Sequence, residues 1–495
     1  MSDKTAERVA SNATFLFAAQ LITGGLSLIT MVLLPRYYGA TGIGVYHLAS
    51  SLWTITALLI GFGTDVVITR EVARNKERVS ELVSVGLLLR IAFHFVGYMS
   101  VVIFAHVAGY SSEIIQIVYI FGIANFLYQL GHILGAALYG LEQFKILALA
   151  DIIVEVVVTA GIVGMIVAGQ SIVMVAAVSI LAGFSRTVFL FLMLRKQTVL
   201  QFIFKMPLVS WMLKEGASIL TNRLLRNVYA QADVIIISLF VNETVVGWYS
   251  VADVAYGALL MIPNIISTAL FPTLARLFTH EPDRLPSVAR RSLNMVLLFS
   301  VPMGLGIFIV SRTVLMLIVG DEFVNSVPVM AGFGIVTIFT SVNIFLGQLL
   351  IAMNRQNKLS ILLIIAIALT LPIDLLLIPW TQAVLGNGAL GGVVSYLITE
   401  MVILIGCLVA LPKGLFSRQN GAFALRVIIA GGVMVLLTWP LRNAFLFWPI
   451  IVGILVYLAA AFILKLITQE EMNLARGVWR KGWQRLRGLF VTAPN

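Results

Sequence analysis

Four arginines lie inside apolar runs of this sequence, where a charge without a partner costs several kcal/mol. Arg90, Arg186, Arg223 and Arg226 all fall at a similar depth, roughly 10–15 Å along a helix from its inner end. The guanidinium group stays charged and binds two phosphate oxygens at once. The arginines therefore predict a cationic ring that binds a phosphate or pyrophosphate head group entering from the cytoplasmic side.

Two further polar residues are placed to act beside these arginines. His94 follows Arg90 by one helical turn, and Asn222 precedes Arg226 by one turn. Residues spaced in this way share one face of a helix. We therefore expect His94 and Asn222 to donate hydrogen bonds to the same bound group.

Acidic residues within or at the ends of the apolar runs allow two interpretations. They could pair with the arginines and hold helices together, or they could form a proton or sodium site that couples transport to an ion gradient. Asp233 lies two turns after Arg226 on the same helical face. The set comprises Asp65, Asp151, Glu155, Asp233, Asp253, Asp374 and Glu400.

Motifs of soluble enzymes are missing from the sequence. We find no phosphate-binding loop with its lysine, no zinc-ligand spacing and no nucleophile elbow. We therefore predict no catalytic residues, no metal site and no cofactor, and primary transport driven by ATP is excluded for this chain alone.

The composition requires a membrane around these residues. Hydrophobic residues make up 60% of the 495 residues and charged residues only 11%, with a mean hydropathy of +1.02. Soluble domains carry about a quarter charged residues. We therefore predict an all-α polytopic membrane protein without a sizeable soluble domain, and about fourteen spans. The predicted spans are 13–34, 45–69, 83–108, 112–138, 149–168, 172–194, 216–240, 247–271, 292–310, 328–352, 359–379, 389–411, 423–441 and 447–467.

The distribution of lysine and arginine sets the predicted orientation. With the N-terminus inside, the outer loops hold only Arg36, Arg312 and Arg442, and most other basic residues fall in inner loops and tails. Positive charge accumulates on the cytoplasmic side of membrane proteins. Both termini are therefore expected in the cytoplasm, and the net charge of +11 faces the inner leaflet, so we expect membrane lipids and not nucleic acid as its partner.

An internal repeat divides the predicted helices into two copies. The segment Gly44–Ala49 (GVYHLA) matches Gly247–Ala252 (GWYSVA), and later motifs match in the same order. Repeats with parallel topology are typical of transporters that rock two lobes about a central site. The predicted division is an N-terminal lobe of helices 1–6 (1–195), an interfacial linker (196–214), a C-terminal lobe of helices 7–12 (215–411), helices 13 and 14 (412–467) and a cytoplasmic amphipathic tail (468–495). We predict that the glycine-rich segment 39–44 is a turn.

The segment PRYYGATGIGVYHLASSLWTITALLIGFGTDVVITREVAR (Pro35–Arg74) resembles the opening of the polysaccharide biosynthesis family of Wzx-type oligosaccharide flippases. Asn222–Asp253 and Ala269–Phe278 are similar to that family's helices 7 and 8. The resemblance implies a two-lobed exporter of the multidrug/oligosaccharidyl-lipid/polysaccharide superfamily in the inner (plasma) membrane. It also implies that cavity arginines hold the anionic part of the cargo, a role that Arg90, Arg226 and Arg223 could fill here.

The predicted function is therefore that of a flippase and not of an enzyme. Its cargo would be an oligosaccharide linked to a polyprenyl (pyro)phosphate, moved from the inner to the outer leaflet by alternating access. We expect a monomer that works beside the glycan polymerase or glycosyltransferases of the same pathway. The alternatives are a cation-coupled multidrug exporter, which the four arginines oppose, and a membrane glycan polymerase or ligase, which the short outer loops oppose.

Overall fold

The computed structural model describes residues 3–466, and the side chains of these residues except 3–14, 17, 221–223, 226 and 230. Fourteen α-helices and no β-strand occur within this range. The helices are α1 Asp3–Gly61, α2 Thr64–Arg74, α3 Val79–Val107, α4 Ser112–Gly140, α5 Phe144–Val167, α6 Ile172–Gln197, α7 Met206–Phe240, α8 Glu243–His280, α9 Leu285–Ile318, α10 Ser326–Ala352, α11 Gln356–Leu385, α12 Gly388–Ala410, α13 Arg418–Thr438 and α14 Phe447–Ile463.

The helices have the length and composition of membrane spans. In the described part of the chain, 11 are long and apolar enough to cross a bilayer, and Asn227–Phe240 and Phe447–Ile463 are shorter apolar segments. Large apolar side chains such as Val107 and Leu436 are more than 70% exposed, which a lipid environment accommodates. The predicted all-α multi-pass class is confirmed. The count of about fourteen spans and the orientation stay predictions, and the amphipathic tail 468–495 lies outside the described residues.

Helix α1 contains the first two predicted spans, joined at a single kink. Gly39 has φ +66° and ψ −173°, a conformation outside the helical region, and the helix resumes at Ala40. The prediction of a turn over residues 39–44 is wrong beyond Gly39. One glycine supplies the change of direction, and the following residues return to the helix, which satisfies their backbone groups without water.

The predicted second span, 45–69, ends earlier than expected, at Gly61. Phe62 and Gly63 both have positive φ, at 45° and 68°, and α2 then starts in a new direction. The sequence hides this break because α2 has apolar residues at helical spacing, Val67, Ile68 and Val72, which are fully buried. They pack into a core with residues of α3, α4, α6 and α7.

The predicted linker 196–214 has two parts in the structure. Residues 198–205 contain no helix, and α7 begins at Met206. Two serines of α3 hold the first part: the Ser80 hydroxyl donates to the Val199 carbonyl (2.8 Å), and the Ser84 hydroxyl donates to the Gln201 carbonyl (3.1 Å). Lys205 forms an ion pair with Glu81 at 2.7 Å. The linker is therefore tied to the start of α3.

The chain forms two compact units that differ from the two lobes inferred from the repeat. One unit comprises the described residues up to Ala255, with Leu315–Val329 and Ser360–Thr399. The other comprises Tyr256–Val314, Met330–Leu359 and the described residues from Glu400 onward, and its core joins α9, α13 and α14. The division into lobes at 1–195 and 215–411 stays a prediction.

Candidate functional site

A polar and aromatic cavity of about 480 Å³ lies among the helices of the first unit. Its walls come from α1, α2, α3, α4, α6 and α7. They combine aromatic rings with amide, hydroxyl and charged groups: Tyr46, Ser50, Trp53, Thr54, Ala57, Leu58, Gly61, Gly63, Asp65, Arg90, Phe121, Ala124, Asn125, Tyr128, Gln129, His132, Ser179, Leu220 and Asn227. We call it the first cavity. Its volume is in the range of small-ligand sites.

Arg90 is the buried cation of the first cavity, and it is held from two sides. Its side chain is only 3% exposed. One guanidinium nitrogen donates to the Gln129 carbonyl oxygen, and another lies 3.9 Å from an Asp65 carboxylate oxygen. The Gln129 amide nitrogen donates in turn to the Ala57 carbonyl (2.9 Å). These contacts hold Arg90 in place in a membrane-embedded wall.

Gly61 provides the space that this guanidinium occupies. A Cβ atom at Gly61 would lie 3.0 Å from an Arg90 guanidinium nitrogen. This distance is tighter than a normal packing contact, so a larger residue would push the guanidinium aside. The end of the long helix α1 is therefore shaped around Arg90.

Arg186 lies in an adjacent second cavity of about 580 Å³. It forms an ion pair with Asp151 at 3.1 Å, and the Asp151 side chain is 57% exposed. Asp65 and His132 line both cavities, so the two spaces share a wall. Arg90 and Arg186 thus occupy neighbouring cavities, each beside a carboxylate. These two contacts match the interpretation in which acids pair with arginines.

The remaining residues of the predicted cationic site either do not line the cavities or have side chains that the structure does not describe. His94 packs among Trp53, Tyr98 and Phe126, with its ring 5.8 Å from Trp53 and nearly parallel to it. It does not line the described wall of either cavity. The side chains of Asn222, Arg223 and Arg226 lie outside the described residues. Their positions in α7 fall between Leu220 and Asn227, which line the first cavity.

Two buried aspartates meet in another part of the first unit. Asp233 of α7 is 1% exposed, Asp374 of α11 is fully buried, and their carboxyl groups are in contact. The Tyr249 hydroxyl donates to Asp233. The Ser395 hydroxyl lies beside Asp374 and is fully buried. Two buried carboxyl groups that lie this close repel each other unless they share a proton or bind a cation.

The other predicted acids are dispersed. Asp253 of α8 lies near Asp233, within range of its charge. Glu155 of α5 is partly buried and lies within electrostatic range of Tyr128. In the second unit, Glu400 is 3% exposed and accepts a hydrogen bond from Asn343 at 2.6 Å. Glu400 and Asp233 therefore take part in separate interactions.

Sequence reasoning missed the aromatic lining of the first cavity and the role of Tyr249. Aromatic residues are spread through all the apolar runs, so the sequence does not distinguish Trp53 or Tyr128 from rings that face lipid. Tyr249 lies in the repeated motif that begins at Gly247. The repeated motif indicated that Tyr249 is an important position, although it did not identify Asp233 as the acceptor of the Tyr249 hydroxyl.

Comparisons with known proteins identify relatives of this chain and structures with a similar fold. A family model described as polysaccharide biosynthesis protein matches residues 9–278. A probable low-salt glycan biosynthesis flippase, Agl15 of Haloferax volcanii, is 24% identical over 151 residues, which are 30% of this chain and 32% of that protein. The match therefore spans about a third of the relative's length.

Solved structures show the same fold. A lipid II flippase, MurJ, in an inward closed conformation aligns with a TM-score of 0.75 and 15% identity, covering 90% of this chain and 98% of that one. An inward-facing multidrug resistance transporter of the MATE family aligns with a TM-score of 0.63 and 13% identity, covering 82% and 95%. The family model covers more than half of the chain and confirms the resemblance seen in its motifs. The chain belongs to the polysaccharide biosynthesis protein family.

Proposed function

We propose that this protein is a flippase for an oligosaccharide linked to a polyprenyl (pyro)phosphate, which it moves from the inner to the outer leaflet of the plasma membrane. The observation that carries the proposal is the buried Arg90 in the wall of a polar, aromatic cavity lined by membrane helices. Family membership supports it, as do the flippase names of one sequence relative and one structural neighbour.

Arg90 would recognise the anionic link between lipid and sugar. Its guanidinium already has an anionic neighbour, because an Asp65 oxygen lies 3.9 Å away and the Asp65 side chain is about one-third exposed. An incoming phosphate competes with Asp65 for the same cation, and Gln129 keeps the guanidinium oriented. This competition favours release as well as binding, which a transporter needs for turnover. Arg223, Arg226 and Asn222 are proposed to add to this site from α7.

The rest of the first cavity suits the sugar part of the cargo. Asn125, Gln129 and Ser50 offer amide and hydroxyl groups, and Tyr46 and Tyr128 offer aromatic rings with polar ends. Rings stack against the apolar faces of sugars while amides bond to their hydroxyl groups. The neighbouring Arg186 and Asp151 form a second charged contact for a larger head group.

The contact between Asp233 and Asp374 is proposed to couple transport to an ion gradient. The pair is buried, and Ser395 adds a hydroxyl group beside Asp374. A proton or a monovalent cation would neutralise the pair. Asp233 belongs to α7, which also contributes Leu220 and Asn227 to the first cavity, so neutralisation is linked to the substrate site through one helix. Asp253, Glu155 and Glu400 are further candidates for coupling.

Replacement of Arg90 and Arg226 by alanine tests the proposal in cells. The double variant should lose export of the surface glycan even when its amount in the membrane is matched to that of the wild type. Arg312→Ala is the matched control, because Arg312 is an exposed arginine outside both cavities. Full glycan export by the double variant would contradict the proposed site. Efflux of ethidium by the wild-type protein, without glycan export, would favour a multidrug exporter instead.

A further inference from the structure

Helices α1 and α8 touch through two glycines that the internal repeat makes equivalent. A Cβ atom on Gly44 would overlap the carbonyl oxygen of Glu243, and a Cβ atom on Gly247 would overlap the carbonyl oxygen of Ala40. The offset of the repeat is 203 residues, so Ala40 corresponds to Glu243 and Gly44 to Gly247. The same backbone contact is therefore made twice, in opposite directions.

A hydrogen bond marks the centre of this crossing. The hydroxyl groups of Thr41 and Thr244 are 2.8 Å apart, and these two residues are also 203 positions apart. A residue that touches its own counterpart in the repeat lies on the local two-fold axis that relates the copies. The axis therefore passes between Thr41 and Thr244.

Charged side chains hold two helix ends beside the crossing. The Arg36 guanidinium donates to the carbonyls of Ile318 (2.8 Å) and Leu317, at the C-terminal end of α9. Glu322 accepts a hydrogen bond from the Ala40 amide (2.9 Å), at the start of the helical segment after the kink. Each side chain carries a charge opposite to the partial charge of the helix end that it caps, so both contacts are attractive.

The kink at Gly39 makes room for the Glu322 cap. A Cβ atom at this position would lie 2.7 Å from one Glu322 carboxylate oxygen and closer still to the other. Its φ of +66° also favours glycine. A residue with a side chain would therefore strain the backbone and displace Glu322, so the kink and the cap form one unit.

We infer that this crossing is a gate, closed in this structure, at the face that the charge bias predicts to be external. The helical segment that begins at Ala40 also contributes Tyr46, Ser50 and Trp53 to the first cavity. When α1 and α8 are in backbone contact, they close the path from this cavity past Thr41. Release of cargo requires Gly44 and Gly247 to separate and the Arg36 and Glu322 caps to break. The inference rests on the proposed function only for the identity of the cargo.

A reversible cross-link tests the gate directly. Cys407 is the single cysteine of the sequence, so Cys407→Ser gives a background without cysteine for Thr41→Cys with Thr244→Cys. A protease site in the segment 198–205 separates the two positions after cleavage. We expect an oxidant to join the two fragments on a non-reducing gel, to abolish glycan export and to lose both effects after reduction. Failure to cross-link, or full export by the cross-linked protein, would overturn the inference.

A labelling experiment tests the same gate without any cargo. Ser50→Cys, in the cysteine-free background, places a thiol in the wall of the first cavity. We expect a membrane-impermeant maleimide outside whole cells to label it slowly, and Gly44→Leu to raise that rate because the crossing can no longer close. Gly24→Leu is the control, since Gly24 is also in α1 but has open space around its Cβ position. Equal labelling in the two leucine variants would contradict the gate and leave the proposed cargo untouched.

Discussion

Arg90 and Arg186 show how two arginines of similar sequence context acquire different environments. Both lie in apolar helices and both have an aspartate partner. Arg90 is 3% exposed and is bonded to Gln129, whereas Arg186 is 16% exposed and pairs with Asp151, which is more than half exposed. A buried pair that loses one member leaves a charge with no water to solvate it, while a pair with one exposed member loses less.

This difference predicts unequal losses of stability. Arg90→Gln should lower the stability of the purified protein by about 3 kcal/mol, and Arg186→Gln by a smaller amount. Thermal unfolding in detergent, followed by tryptophan fluorescence, measures both variants under identical conditions. Equal shifts of the two unfolding midpoints would show that the burial of Arg90 does not govern its contribution.

Gln129 offers a test of orientation as distinct from charge. Gln129→Leu keeps the positive charge of Arg90 but removes its hydrogen-bond acceptor and leaves the Ala57 carbonyl without its amide donor, at a cost of about 1–3 kcal/mol. We expect weaker binding of a polyprenyl-pyrophosphate glycan, measured by fluorescence quenching in detergent. Gln170→Leu is the control, because Gln170 is exposed and lies outside both cavities. Equal affinities for all three proteins would refute a positioning role.

Among the helices, the residues at the break between α1 and α2 line the first cavity and also contact α7. Gly63 has φ +68°, and a Cβ atom there would lie 2.7 Å from the Gly216 carbonyl of α7. Two residues later, Asp65 faces Arg90, and Arg70 of the same helix pairs with Glu215 of α7 at 2.8 Å. Hydrogen bonding to Glu215 raises the pKa of Arg70 above its usual value, so the guanidinium stays charged beside Glu215.

Substitution of Gly63, compared with a control glycine, separates the cost of backbone strain from the cost of a steric clash. Gly63→Ala should lower stability by about 1 kcal/mol for the positive φ and by about 1–3 kcal/mol more for the clash with Gly216. Gly109→Ala is the matched control: Gly109 has a similar φ of +70°, but its Cβ position is open. The difference between the two unfolding midpoints measures the clash. A loss for Gly63→Ala no greater than that of the control would contradict the close packing of α7.

Apolar patterns in the sequence predicted the long helices. They failed where the apolar pattern continues across a break between two helices. A run of about 20 apolar residues requires a helix in a bilayer, so helices α3 to α14 lie near the predicted spans. The end of α1 was not predicted, because Val67, Ile68 and Val72 extend the apolar pattern into α2. The contact between Asp233 and Asp374 was also beyond prediction, since local spacing contains no information on which helices pack together.

At the scale of the whole molecule, the charge bias and the repeat make a joint prediction of topology. Arg36, Arg312 and Arg442 fall on the face with few basic residues, and the linker with Lys205 falls on the other. The crossing of Gly44 and Gly247 lies close to Arg36 in the chain, on the face predicted to be external. Closure there and access from the cytoplasm would be one state of an alternating-access cycle.

Orientation can be measured with single cysteines in the Cys407→Ser background. Arg312→Cys should react with an impermeant maleimide in intact cells, and Lys358→Cys should react only after the membrane is opened, because positive charge is retained in the cytoplasm. Both side chains are at least partly exposed, so access to the reagent depends on their side of the membrane. The reverse pattern would invert the topology and place the glycine crossing inside the cell.

Transbilayer movement of the cargo by the purified protein is the most direct test of the proposed flippase function. A polyprenyl-pyrophosphate oligosaccharide labelled with a fluorophore on its sugar is placed in both leaflets of proteoliposomes, and dithionite is added outside. We expect wild-type protein to expose the inner-leaflet label, so that bleaching goes beyond the outer half, and we expect the Arg90→Ala, Arg226→Ala double variant not to do so. The contradicting result is bleaching of only the outer half by vesicles with wild-type protein under an imposed proton or sodium gradient. Protein-free vesicles give that same result, so the protein would then not be a flippase for this cargo.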